Sequence, residues 1–256
     1  MKRVIFVGGA NHSSSTMIGA ILGASMTHPF ESFHVGEIKS FFDPRSPKYG
    51  QPKAVLESAF GDFWSSVDYK VGYDNAYDEL FKKSAETDVL VDSSKTWRCL
   101  QRQVTKSDSS AWRLTCLISY RRFEKIWKSD ERRGVPLDKR LNNLKQYERL
   151  LSVIDEHHVS YKVFDLGEFL KSPKLYAKKV CEVLGVSYFD GKEEYWRYPD
   201  AHLYGAATQR RHFRNPSEAG FLVNSRPDLS ESQGSQLWQE DEGLVAVEAR
   251  LISESI

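Results

Sequence analysis

The stretch Val4-Ile5-Phe6-Val7-Gly8-Gly9-Ala10-Asn11-His12-Ser13-Ser14-Ser15-Thr16-Met17-Ile18 decides the fold of this 256-residue chain. The apolar run Val4 to Val7 reads as a strand buried on both faces. Two glycines end it, and a polar run follows. Ile18, Ile21 and Leu22 then fall at i, i+3 and i+4, the spacing of one helix face. Gly19 and Gly23, one turn apart, let that helix lie close to the sheet. A strand that passes through glycines into a hydroxyl-rich helix start is the outline of an anion site. The free N–H groups and the positive end of the helix dipole converge there. One hydroxyl is enough for a plain N-cap; Ser13, Ser14, Ser15 and Thr16 offer four.

Working outward, the same strand-then-helix pattern recurs. Asp88-Val89-Leu90-Val91-Asp92 reads as a buried strand ending in Ser93-Ser94-Lys95. Trp112 to Ile118 is another, ending in Ser119-Tyr120-Arg121-Arg122. A basic helix follows from Phe123 to about Arg132, and Leu141, Leu144, Leu151 and Ile154 mark a long amphipathic one. Val159 to Phe164 is a further strand, and Pro173 to Leu184 a helix closed by Gly185. Strands alternating with helices imply right-handed crossovers and a parallel sheet. The expected fold is α/β: a three-layer, P-loop-like single domain over residues 1–256, with a central parallel sheet flanked by helices. Residues 38–85 form an aromatic-rich helical and loop insertion, readable as an acceptor-side cap or as core packing. Residues 187–256 form a loop-rich tail that completes the site. The opening loop, Ser94/Lys95 and Arg121 all fall at strand C-terminal ends, the edge where open parallel sheets bind ligands.

Composition narrows the function classes. Lys+Arg 36 against Asp+Glu 35 leaves a net charge of +1, so no global field favours nucleic acid or an acidic membrane. Three scattered cysteines, Cys99, Cys116 and Cys181, fit a reducing compartment and give no zinc spacing. The first strand starts by Val4, which leaves no room for a signal peptide, and no run reaches transmembrane length. The expectation is a cytoplasmic protein with a small-molecule or carbohydrate partner, no nucleic acid, no membrane and no metal.

A nucleotide-triphosphate P-loop needs GxxxxGK[ST], with lysine on the phosphates. Five residues after Gly9 stand Ser14 and Ser15, and no lysine occurs. The loop resembles instead the phosphosulfate-binding loop of sulfotransferases that use 3'-phosphoadenylyl sulfate (PAPS), which in the tyrosylprotein and carbohydrate branches reads GG-x-P-R-S-G-T-T-L. The glycines, Ser13 and Thr16 match, and Ser15 is conservative. His12 stands where the family commonly has arginine and Ser14 where it has glycine; a protonated His12 would restore part of the charge. Arg121-Arg122-Phe123-Glu124-Lys125-Ile126-Trp127-Lys128-Ser129 resembles the family's R-D-x-R-x-x-x-x-S, whose arginine and serine bind the 3'-phosphate. A forked guanidinium with a hydroxyl one to two turns on suits a dianion. Lys125, Lys128, Arg132 and Arg133 read as a solvated helix face. Tyr161-Lys162-Val163-Phe164-Asp165-Leu166 through Leu184-Gly185 resembles the family's Y-E-D-L strand and closing L-G. The tail His202-Leu203-Tyr204-Gly205-Ala206 to Arg210 is similar to its H-x-x-G-N-x-x-R segment.

The resemblance implies transfer of a sulfuryl group from PAPS to a hydroxyl or amine, giving PAP, in line and without a metal. It implies cofactor binding by Gly9, Ala10, Asn11, His12, Ser13, Ser14, Ser15, Thr16, Arg121, Ser129, Gly205 and Arg210. Lys95 is the implied cation for the leaving oxygen, aided by His12, and Glu37, in Gly36-Glu37, the implied general base. His34 is its rival, since histidine serves other branches. The alternatives are a P-loop small-molecule kinase, which would need Mg²⁺ and a loop lysine, and a nucleotide-binding module without activity.

Overall fold

The computed structural model describes residues 1–25, 32–47, 49–50, 63–198 and 237–256, with only the backbone for 32–35. In chain order the elements are β1 (Lys2–Gly8), α1 (Ser15–Gly23), β2 (Ser32–Gly36), α2 (Ile38–Phe42), α3 (Phe63–Ser66), α4 (Ala76–Lys83), β3 (Val89–Lys95), α5 (Trp97–Ser107), β4 (Trp112–Tyr120), α6 (Phe123–Glu131), α7 (Leu137–Glu156), β5 (Tyr161–Asp165), α8 (Leu166–Lys171), α9 (Pro173–Leu184) and α10 (Glu242–Ser253). The strands make one parallel sheet in the order β2-β3-β1-β4-β5.

β1 is central because it is apolar on both faces. Val4 and Phe6 enter a core with α4, α5, α6 and α7, whereas Ile5 and Val7 enter a second core with α1 and α9. The same alternation divides Leu90 from Val91 on β3 and Cys116 from Leu117 on β4, so helices cover both faces and the three layers follow. The aromatics of the 38–85 segment join the first core: Phe41, Phe42, Trp64, Tyr73 and Tyr77 are fully buried.

Chain reversal after β1 differs on its two sides. α1 runs back beneath β2 and β3, while the chain after β4 leads toward β5. The C-terminal ends of β1 and β4 therefore border a topological switch point, where such sheets open a crevice. Two long-range anchors hold the sheet, one at each end. Pro173 starts α9, and Gly185 closes it at φ +62°, with the Arg3 guanidinium on the carbonyls of Leu184 and Gly185 at 2.9 and 2.7 Å. On α10, Glu248 accepts from the Tyr120 hydroxyl at 2.9 Å and the Phe123 N–H at 2.8 Å, fixing where β4 turns into α6.

Candidate active site

The loop between β1 and α1 is shaped by backbone conformations that side chains seldom adopt. Gly9 sits at φ +151°, and a Cβ there would stand 2.7 Å from both the Ser119 carbonyl and Ser13 Oγ. His12 and Ser14 have φ of 66° and 71°. Left-handed geometry of this kind costs a non-glycine residue about 1–3 kcal/mol and collects at functional sites. It explains why the sulfotransferase loop carries glycine where this chain has Ser14. The contorted turn leaves the N–H groups of Ser14, Ser15, Thr16 and Met17 without an acceptor among the described residues. Ser13 Oγ is buried and also makes no hydrogen bond there. Unsatisfied donors gathered at a helix start fit an oxyanion.

On the β4 side of the loop stands a group of cations. Arg121, which immediately follows β4, is half-buried, and its Nη1 lies 3.5 Å from the His12 carbonyl. Burial, and then Arg132 and Arg133, push its pKa down. Ser129, in the last turn of α6, is buried, and its hydroxyl accepts from Arg133 at 3.4 Å. Arg133 also donates to His12 Nδ1. The other ring nitrogen, Nε2, lies 3.4 Å from the buried carboxylate of Asp130. None of Arg121, Arg132 and Arg133 forms an ion pair among the described residues. Three guanidinium groups with no ion-pair partner of their own among those residues, the nearby Asp130 carboxylate facing His12 instead, describe a preformed anion site.

Two readings of these residues need refinement. Protonation of His12, which would restore part of the loop charge, is opposed by burial and by the adjacent Arg133, which lower its pKa, while Asp130 acts the other way. Arg133 is not simply part of a solvated helix face: it bridges His12 and Ser129 and brings a permanent positive charge to the loop.

On the β2 and β3 side, a buried carboxylate organises the site. Asp92 accepts five hydrogen bonds: from the Ile38 N–H (3.2 Å), the Ser94 N–H (2.8 Å) and hydroxyl (2.6 Å), and the hydroxyls of Tyr73 (3.0 Å) and Tyr77 (2.6 Å). Burial pushes its pKa up, and the Ser94, Tyr77 and Tyr73 bonds oppose the rise. Ser94 Oγ in turn accepts from the Lys39 N–H at 3.1 Å. This network pins the ends of β2 and β3 together and so sets Glu37 beside Lys95. Glu37 Oε1 is 3.7 Å from Lys95 Nζ, and Ser40 donates to Glu37 Oε2 at 3.2 Å. Lys95 is left-handed at φ 64°, and its carbonyl accepts from the Gly9 N–H at 3.2 Å, tying β3 to the loop. Glu37 and Lys95 open onto a cleft of about 540 Å³ that also exposes Gly9 and Asn11. Its far wall is the first half of α7, where Asn143 Oδ1 receives the Asn11 N–H at 2.7 Å.

The structure thus brings Gly9 to Thr16, Glu37, Lys95, Arg121 and Ser129 to one edge of the sheet. Gly205 and Arg210 lie outside the described residues, as does the side chain of His34. Asp92, Asp130 and Arg133 escaped the sequence reading. Asp92 and Asp130 look there like an ordinary strand aspartate and helix aspartate, and only tertiary contacts reveal them. Arg133, four residues beyond Ser129, was legible as one more helical turn of the same face. Among the described residues no group of His, Cys, Asp and Glu is arranged to hold a metal ion.

A search of protein-family models found no match, and neither did a search of curated proteins. Solved structures do match in fold. The sulfotransferase domain from the Synechococcus PCC 7002 olefin synthase superposes with a TM-score of 0.67 at 12% identity, covering 98% of this chain and 94% of that one. The sulfotransferase domain from the curacin biosynthetic pathway gives 0.60 at 13% identity, covering 100% and 99%. This chain has the P-loop-like α/β fold of sulfotransferase domains, over essentially its whole length.

Proposed function

We propose that the protein transfers a sulfuryl group from PAPS to a hydroxyl or amine acceptor and releases PAP. The observation that carries this reading is the way the β1 loop divides the sheet edge. Uncompensated guanidinium groups stand on one side, and a carboxylate–lysine pair faces a cleft on the other. PAPS brings the activated sulfuryl group and leaves as PAP. The N–H groups of Ser14 to Met17 and the hydroxyls of Ser13 to Thr16 hold the phosphosulfate, and Gly9, Ala10 and Asn11 give the loop its close approach. Arg121 and Ser129 hold the 3'-phosphate, with Arg133 adding charge between the two anions. Gly205 and Arg210 are further nucleotide contacts that the family resemblance implies.

In the resting site Lys95 and Glu37 neutralise each other. Lys95 Nζ turns to the bridging oxygen as negative charge builds there, which leaves Glu37 free to act. Glu37 takes the acceptor's proton as the acceptor oxygen or nitrogen bonds to sulfur and the sulfur–bridging oxygen bond breaks. Arg121, Arg133 and Lys95 meet the charge, so the reading takes no metal. The three cysteines are free and buried, in keeping with a cytoplasmic setting.

A thermal-shift titration with PAP, ADP and ATP, each with and without Mg²⁺, tests the reading. Stabilisation by PAP that is independent of metal, with little from ATP, supports it; Mg²⁺-dependent stabilisation by ATP alone favours the kinase. Glu37→Gln is expected to keep PAP affinity and lower turnover by about 10²-fold or more. Unchanged turnover would remove Glu37 from the mechanism, and no turnover by the wild type with any acceptor would favour the inactive module.

A further inference from the structure

The cleft beside Glu37 carries information about the acceptor. Among the described residues no apolar side chain larger than threonine's methyl lines it. Of the described aromatic residues of the 38–85 segment, which might have walled an aryl or lipid site, Phe41, Phe42, Trp64, Tyr73, Tyr77 and Phe81 are consumed by the core. What remains of that segment at the cleft is polar: Lys39, Ser40, Asp43, Arg45 and Ser46.

The charges are unequal. Four cations line the cleft, Lys39, Arg45, Lys95 and Lys139, against two carboxylates, Glu37 and Asp43. Arg45 is paired with Asp43 at 3.0 Å and Lys95 with Glu37 at 3.7 Å. Lys39 and Lys139 then have no carboxylate within ion-pair distance among the described residues. They come from different elements that line the cleft, Lys39 on α2 two residues after Glu37 and Lys139 in the first turn of α7. Gln146, two turns further along α7, also lines the cleft, and its Nε2 is buried without a hydrogen-bond partner among the described residues. Two unpaired ammonium groups and an orphaned amide donor call for a ligand rich in acceptors and negatively charged. The volume is on the scale of sites for small ligands, roughly 300–1,000 Å³.

We infer that the acceptor is a small hydrophilic alcohol bearing a carboxylate or phosphate, whose anionic group is held between Lys39 and Lys139 while its hydroxyl meets Glu37. This rests on the sulfuryl-transfer reading above. The step balances: the alcohol's oxygen bonds to sulfur, its proton passes to Glu37, and PAP leaves with the bridging oxygen, giving a sulfate ester that carries a second negative charge.

The test offers radiolabelled PAPS with matched alcohols: glycerate against glycerol, and glucuronate and glucose 6-phosphate against glucose. Label is expected in an anionic member at a kcat/KM about tenfold or more above its neutral partner, the worth of one charge-assisted hydrogen bond. Carboxylate and phosphate arms separate the two sources of charge. Lys39→Gln and Lys139→Gln should each raise KM for that substrate by about tenfold with a smaller change in kcat, while PAP affinity stays within about twofold. Equal or better use of the neutral alcohols, an unmoved KM in both variants, or no labelled product from any member despite PAP binding would each overturn the inference and leave sulfuryl transfer standing. Failure of the wild type to bind PAP would instead sink the reading on which it rests.

Discussion

The two flanks of the β1 loop are built in opposite ways. On the β4 flank, Arg121 precedes α6, Ser129 lies on it and Arg133 just past its end, so a contiguous run of sequence assembles the cation cluster. On the β2 and β3 flank, Glu37 and Lys95 are distant in sequence and meet because Asp92 gathers donors from the start of α2, from β3 and from the segment before β3. The first flank keeps its shape by local geometry and concentrates like charge. The second keeps its shape by a buried long-range network and cancels charge, Glu37 against Lys95. Holding an anion needs only the first arrangement; moving a proton beside a leaving group needs the second.

The difference can be broken at Asp92. Asp92→Ala removes five hydrogen bonds at once and leaves the Tyr73 and Tyr77 hydroxyls buried and unpaired. A loss of about 3–5 kcal/mol is expected in denaturant unfolding. In the surviving folded fraction, turnover should fall further than PAP affinity, because only the β2 and β3 flank is disarranged. An equal loss of both would erase the distinction between the flanks.

A smaller effect sharpens the β4 flank. Arg133→Ala should weaken PAP binding by about tenfold, measured by calorimetry, whereas Arg132→Ala, which lacks the contacts to His12 and Ser129, should do less. In the His12→Arg/Arg133→Ala double variant, a guanidinium on the loop itself should recover most of the loss. No recovery would mean that Arg133 acts by shaping the helix rather than by its charge.

The smallest effect belongs to His12. Its folded pKa lies below 6.5 through burial and Arg133, so the unfolded chain binds the proton more readily. The stability contributed by the neutral ring is complete above the unfolded value and is lost as pH falls through 6.5 toward the folded one. His12→Asn keeps an acceptor for Arg133 and tolerates the left-handed backbone, yet cannot titrate. Its melting temperature should therefore decline less than the wild type's below pH 6.5; parallel curves would show that His12 is not the group responsible.

These flanks also explain what was legible in the sequence. The strand-glycine-helix opening, the buried strands and the α9 helix from Pro173 to Gly185 announced themselves, because period and caps are local signals. Arg121 and Ser129 were named from the resemblance of one contiguous run to a family motif. Asp92 was read only as a strand residue, since nothing local tells that Tyr73 and Tyr77 turn their hydroxyls on it. The forces that oppose protonation of His12, burial first and then Arg133, are tertiary and the loop's own sequence does not contain them. The aromatics of residues 38–85 were ambiguous singly; packing drew Phe41, Trp64 and Tyr77 into the core and left the polar start of that segment at the cleft.

The central claim is that the β4 flank reads a 3'-phosphate. PAP and 5'-AMP differ only by that group, so the ratio of their affinities for the wild-type chain, set beside the same ratio for Arg121→Ala, tests it most directly. The account predicts that PAP binds about 10²-fold more tightly than AMP, as expected for a dianion meeting a forked guanidinium and a hydroxyl, and that Arg121→Ala removes most of this difference. Equal affinity for PAP and AMP in the wild type would contradict it.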